Sequence, residues 1–207
     1  MTQNLMAIDI ALLLPEAANE RAKAANAALL AARPEGFRFD ESHLPHITLV
    51  QQFIRRANIS ALIERIDPIL RGASPLRLRV TGVGSSATAA YFAIATPPEM
   101  DRLHRTLMDA VLPFEETGGG GEAFFSTGSG DELAREPARD GDVQWVGNFR
   151  SHASYDRFSP HITLGIGPPP ELREPFEFTA DRVAFCHLGR FCTCRVVLQE
   201  WPIQSRR

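Results

Sequence analysis

The chain has 207 residues, 44% hydrophobic and 23% charged, with a net charge of −3. That length suits one fair-sized domain or two small lobes on a shared core, and the proportions are those of a soluble globular protein. The weak negative balance speaks against tracking of long DNA or RNA duplexes, which calls for a strong basic face, but leaves room for a small phosphorylated ligand or an RNA end.

Residues 5–14 read as a buried strand ended by Pro15, with Asp9 as its one charged member. Asp9 is read as structural, at a strand edge or near a cleft. The apolar run has no basic segment before it, so it does not resemble a secretory signal, and no run in the chain approaches a membrane span. The expectation is a cytoplasmic protein. Residues 16–32 are rich in Ala with Glu, Arg and Lys, all strong helix formers, and Pro34 stops the pattern. A connector from Gly36 to Ser42 leads into a strand over Leu44–Phe53. After Asn58, a fair N-cap, Ile59, Leu62, Ile63, Ile66 and Leu70 fall at helical spacing, and Pro68 is expected to kink or end this helix. Residues 76–84 alternate as a half-exposed strand, and 90–96 form another. Pro97-Pro98-Glu99 opens a helix lined by Met100, Leu103, Leu107 and Val111 and ended by Pro113.

Glu115–Gly141 differs in composition. It holds four consecutive glycines from Gly118, then Ser, Thr and mixed charge. No Gly-Lys-Ser/Thr follows, so it is not a P-loop. It reads as a surface insertion or a flap over a cleft, with Phe124-Phe125 packing part of it. Trp145–Phe149 reads as a strand, and Tyr155–Ser159 leads into a further one ending near Gly165. After Pro168–Pro170, Phe176–Leu188 and Thr193–Trp201 read as two strands with Gly189 in the turn. Cys186, Cys192 and Cys194 lie here. An odd number without framework spacing argues against a disulfide scaffold, and the Cys-x-Cys pair near His187 is too close for the usual zinc spacing. The three read as buried thiols in a strand. About eight strands and three or four helices, without βαβ alternation, give an α+β class with mainly antiparallel sheets.

One pentapeptide occurs twice: Pro45-His46-Ile47-Thr48-Leu49 and Pro160-His161-Ile162-Thr163-Leu164. In a strand, residues two apart share a face. Each copy would therefore bury Ile and Leu and present an imidazole beside a hydroxyl. On the His face of the first strand the continuing positions are Val50 and Gln52. Two such strands facing one cleft would bring two His and two Thr together. Two histidines, with ordinary pKa values of about 6.5, can supply one neutral base and one charged acid near neutral pH. Threonine hydroxyls can donate to phosphoryl oxygens. Attack and departure at phosphorus are roughly in line, so acid and base must lie on opposite sides. Which His is which is left open. His43, His104, His152 and His187 lack a paired Thr and are read as structural.

The doubled His-x-Thr motif, on apolar strands more than a hundred residues apart, resembles the 2H phosphoesterase superfamily, in its bacterial 2′-5′ RNA ligase-like and cyclic phosphodiesterase branch. The element order agrees over most of the chain. The resemblance implies a single domain over 1–207. Its fold would be α+β: two pseudo-symmetric lobes of mainly antiparallel sheet with outer helices, an active-site groove between them, and the insertion at about 115–142. It implies a metal-independent hydrolase without cofactor, acting as a monomer on 2′,3′-cyclic or 2′-5′ phosphodiesters of nucleotides or RNA ends, and with neither membrane nor DNA duplex as partner. His46 and His161 would be the acid–base pair, and Thr48 and Thr163 would hold the phosphoryl oxygens. Val50-Gln51-Gln52-Phe53 departs from the Phe-Leu-Gly turn that many relatives carry after the first motif. Gln52 could reach the ligand from the strand end. Phe53, Tyr91, Phe92, Tyr155 and Phe158 are stacking candidates for a base, and Arg55 and Arg157 could steer a second phosphate. The alternatives are 2′-5′ RNA end joining on the same site and a non-catalytic nucleotide- or RNA-binding module. A metal hydrolase would need more ligands than two His with nearby Thr.

Overall fold

The computed structural model describes residues 4–86, 89–125, 138–172 and 174–204. Eight strands form two four-stranded antiparallel sheets. The first is ordered β2-β1-β7-β8, from β1 (Leu5–Leu13), β2 (His46–Arg55), β7 (Arg182–Leu188) and β8 (Cys194–Pro202). The second is ordered β5-β4-β3-β6, from β3 (Leu76–Ser85), β4 (Ala90–Ile94), β5 (His161–Gly165) and β6 (Phe176–Ala180). The α+β class is therefore as expected. Each pentapeptide opens an edge strand, β2 in one sheet and β5 in the other, and these two edges touch.

Four helices complete the fold: α1 (Glu16–Ala32), α2 (Ile59–Arg71), α3 (Pro98–Val111) and α4 (Asp140–His152). Ala18, Ala22, Asn26 and Leu29 are spaced by three or four residues and make the buried face of α1. The connections cross over. Helix α1 follows β1 of the first sheet but packs on β5 of the second, while α3 follows β4 of the second and packs on β2 of the first. One core, including Ile10, Leu12, Leu49, Phe92, Ile162 and Leu164, fills the space between.

Three expectations are corrected. Trp145–Phe149 lies inside α4, not a strand. Asp142, Val146 and Phe149 are its buried face, at helical spacing, and the Asp142 carboxylate accepts the Arg139 N–H at its start. Pro68 does not end α2, which runs on to Arg71; a proline removes one donor, and its own carbonyl still accepts from Gly72. Phe176–Leu188 is two strands, because the chain leaves the second sheet after Ala180 and joins the first at Arg182. Much of the Gly-rich section, from residue 126 to 137, lies outside the described residues, and with it most of the expected flap. Its first part packs: Phe124 is buried edge-on against Phe53, and His187 donates from Nε2 to the Ala123 carbonyl.

Candidate active site

A cleft of about 580 Å3 runs between the sheets, walled by both motifs, by α4 and by the Phe191–Thr193 turn. His46, Thr48, His161 and Thr163 all line it. The two histidines are held the same way. His46 Nδ1 donates to the Leu44 carbonyl at 2.8 Å, and His161 Nδ1 donates to the Ser159 carbonyl at 2.9 Å. A carbonyl only accepts, so each ring carries its proton on Nδ1. Nε2 is then the nitrogen that can take or give a proton.

Each motif strand contains a β-bulge at the same place. Thr48 pairs with Ala11 and Val50 with Ile10, which leaves Leu49 unpaired; Thr163 pairs with Tyr91 and Gly165 with Ala90, which leaves Leu164 unpaired. The bulged leucines' carbonyls are taken by side chains from the crossing helices. His104 of α3 donates from Nδ1 to Leu49 at 2.7 Å, and Asn26 of α1 donates to Leu164 at 2.9 Å. His104 Nε2 accepts the Tyr155 N–H, so the ring is a neutral strut. Burial is the main cause of its lowered pKa, against the pull of the Leu49 carbonyl.

The bulge decides which glutamine reaches the site. One extra residue turns every later side chain to the opposite face. Gln51 therefore joins the His face and lines the cleft, while Gln52 is turned away, buried, donating to the Val111 carbonyl at 3.2 Å. Phe53 returns to the His face but beyond the cleft, packed with Ala7, Phe124 and Val146. Arg55 pairs with Glu116 at the surface. The Tyr155 hydroxyl donates to Asp109 and accepts from Arg150, behind the cleft. Of the stacking candidates, Tyr91 and Phe158 line the cleft; Phe158 lies flat on His104, with ring centroids 3.8 Å apart. Phe92 packs against Phe176 in the core. Arg157 lines the cleft and donates to the Ser151 carbonyl.

Several wall residues had no sequence signal strong enough to single them out. Trp145 is 42% exposed on the cleft face of α4. Arg139 lies 4.1 Å over the Phe191 ring and pairs with Asp142 at 2.6 Å. The larger omission is Asp9. It is fully buried in β1, opposite Gln51, and its Oδ2 accepts from Thr48 Oγ1 and Gln51 Nε2, each at 2.7 Å. His46 Nε2 lies 3.4 Å from the same oxygen.

This carboxylate makes the two halves unequal. Burial opposes a charge on His46, but the hydrogen bond and charge of Asp9, with the Leu44 carbonyl, outweigh it and raise the pKa. Among the described residues, His161 has no carboxylate in hydrogen-bond contact. Burial lowers its pKa and the nearby His46 adds to that, against the Ser159 carbonyl and the more distant Asp9. Thr48 spends its hydroxyl proton on Asp9, whereas Thr163 Oγ1 has no hydrogen-bond partner among the described residues.

The 2′-5′ RNA ligase superfamily model matches residues 14–190. No curated protein matches the sequence. Among solved structures, TT0787 of Thermus thermophilus is 18% identical with a TM-score of 0.60, over 98% of this chain and 100% of that one. LigT of E. coli complexed with 3′-AMP is 14% identical with a TM-score of 0.53, over 97% and 99% of the two chains. The same protein complexed with ATP is 13% identical with a TM-score of 0.54, over 98% and 99%. Among the described residues, no helix is long and apolar enough to cross a membrane.

Proposed function

Because the chain belongs to the 2′-5′ RNA ligase superfamily, we propose that it is a phosphoesterase that opens 2′,3′-cyclic or 2′-5′ phosphodiesters of nucleotides or RNA ends by two-histidine acid–base catalysis. One observation carries this reading. Two histidines from facing sheet edges line one cleft, each with Nδ1 pinned to a carbonyl two residues back and Nε2 left for proton transfer. Two titratable groups so placed favour catalysis over binding alone. The nucleotides held by the similar E. coli LigT agree with a nucleotide substrate, and Tyr91, Phe158 and Trp145 offer flat faces for a base.

The roles divide as the Asp9 contact divides the halves. In the metal-free protein His46 keeps its proton beside the carboxylate and gives it to the leaving oxygen. Neutral His161 takes the proton of the attacking water. After turnover the proton passes back through solvent. Thr163 donates to a phosphoryl oxygen, where negative charge gathers in the transition state. Gln51 and Asp9 fix the first motif. The same groups run in reverse would join RNA ends.

The test is turnover of 2′,3′-cyclic nucleotides with EDTA present, followed by phosphorus NMR, beside His46→Ala and His161→Ala. Each substitution is expected to lower kcat by about 10²–10⁴-fold. The product's phosphate position would identify the leaving oxygen. Turnover that survives both substitutions would sink the reading.

A further inference from the structure

We propose that Asp9, His46 and Cys194 form a site for a thiophilic divalent metal ion, zinc above all, and that metal bound there switches the cleft off. The inhibition rests on the phosphoesterase reading above; the binding does not.

Cys194 opens β8 directly behind the first motif, and its carbonyl accepts the Leu44 N–H at 3.1 Å. That bond ties β8 to the segment leading into His46. One ligand atom from each of Asp9, His46 and Cys194 lies within 4.8 Å of the other two. Zinc bonds of about 2.0–2.3 Å place tetrahedral ligand atoms roughly 3.3–3.7 Å apart. The 3.4 Å between His46 Nε2 and Asp9 Oδ2 already meets that, and a thiol within 4.8 Å of both needs to move inward by at most roughly 1–1.5 Å.

A second observation points to a ligand. Asp9 is fully buried, yet its Oδ1 has no hydrogen-bond partner among the described residues. A buried acceptor with nothing to accept from is rare in folded proteins, and a metal ion that the carboxylate grips through both oxygens would satisfy Oδ1 as well as meet Oδ2. The donor set is one thiol, one imidazole and one carboxylate, which favours zinc over magnesium or calcium. His46 also has the outer bond that zinc-bound histidines use: Nδ1 donates to a carbonyl and fixes Nε2 as the ligand. Of the three residues, His46 lines the cleft, with Thr48 beside it.

Burial, with Cys186 alongside, keeps the Cys194 thiol protonated well above the ordinary range. The metal must displace that proton and the one on His46 Nε2, so binding releases protons. With Nε2 on the metal, His46 can no longer pass a proton to a leaving oxygen.

The experiment uses the full chain after chelator treatment. Co2+ is added first and read by absorbance, then Zn2+ is added by calorimetric titration. A sulfur-to-cobalt charge-transfer band and saturable one-to-one zinc binding are expected in the wild type. Cys194→Ser should lose the band and weaken zinc by about 10–100-fold, whereas Cys192→Ser should bind as the wild type. Binding without the band, or unchanged in Cys194→Ser, overturns the proposal. Should Cys194→Ser fail to fold, the anomalous signal of zinc in wild-type crystals decides: a peak among Asp9, His46 and Cys194 supports it, and a peak elsewhere or none overturns it. Zinc should also slow turnover of a 2′,3′-cyclic nucleotide in the wild type. Zinc that binds at the three residues yet accelerates turnover overturns the inhibitory half. A protein that binds cobalt through Cys194 but turns over no cyclic nucleotide keeps the site and fails the phosphoesterase reading instead.

Discussion

The two copies of Pro-His-Ile-Thr-Leu start from the same five residues and end in different chemistry. Both begin edge strands, both pin Nδ1 to the carbonyl two residues earlier, and both bulge at the leucine. The difference comes from the neighbouring strand. β1 sets a buried aspartate beside the first motif, and β4 offers Tyr91 to the second, its ring centroid 5.2 Å from that of His161. A repeated motif thus fixes geometry, while the strand paired with it sets the charge around each imidazole.

The largest expected effect that tests this contrast is on the hydroxyls. Thr163→Val should reduce kcat/KM about 10²-fold or more, as loss of a phosphoryl donor does. Thr48→Val should cost markedly less, because its proton already goes to Asp9. Equal losses measured in steady-state kinetics would mean that the hydroxyl of Thr48 leaves Asp9 when substrate binds.

A smaller effect is expected on the pH profile. The acid must be protonated, so rate falls above the pKa of His46; the base must be neutral, so rate falls below that of His161. Asp9 raises the first through a hydrogen bond and its charge, and the second through its more distant charge alone. Asp9→Asn should therefore move the alkaline limb of kcat/KM to lower pH, with a slighter move of the acid limb the same way, and the bell should narrow. The profile is measured with a chelator present. A bell of unchanged width would show that the carboxylate does not set the roles.

The smallest effect concerns what the motifs share. Asn26→Leu or His104→Phe leaves a bulge carbonyl unpaired, at a cost of about 1–3 kcal/mol in stability, read by denaturant unfolding. If the struts are equivalent, the two losses should be similar. Beyond the bulge carbonyl, Asn26 bonds both Phe37 and Phe39 and His104 bonds Tyr155 alone, so any difference should make Asn26→Leu the costlier.

Much of this was legible in the sequence. The doubled pentapeptide, the alternation of Leu76, Leu78 and Val80, and the Ala face of α1 mark their elements by local pattern alone. What escaped depends on pairing. Strict alternation points Gln52 at the ligand, but one bulged residue hands that place to Gln51, and no local signal announces a bulge. Asp9 looks like an interruption until β2 is laid beside it. Trp145–Phe149 carries strand-favouring side chains, yet Asp142 caps it as a helix and one face is buried, so tertiary context overrode propensity.

The crossing of α1 and α3 has a mechanical consequence. Each half of the chain carries the brace for the other half's histidine strand, through Asn26 to Leu164 and His104 to Leu49. The halves are thus not two jaws on a hinge. Prying them apart would break both braces at once. A chain cut between β4 and α3 would leave each fragment without the brace of its own motif, because the other fragment carries it.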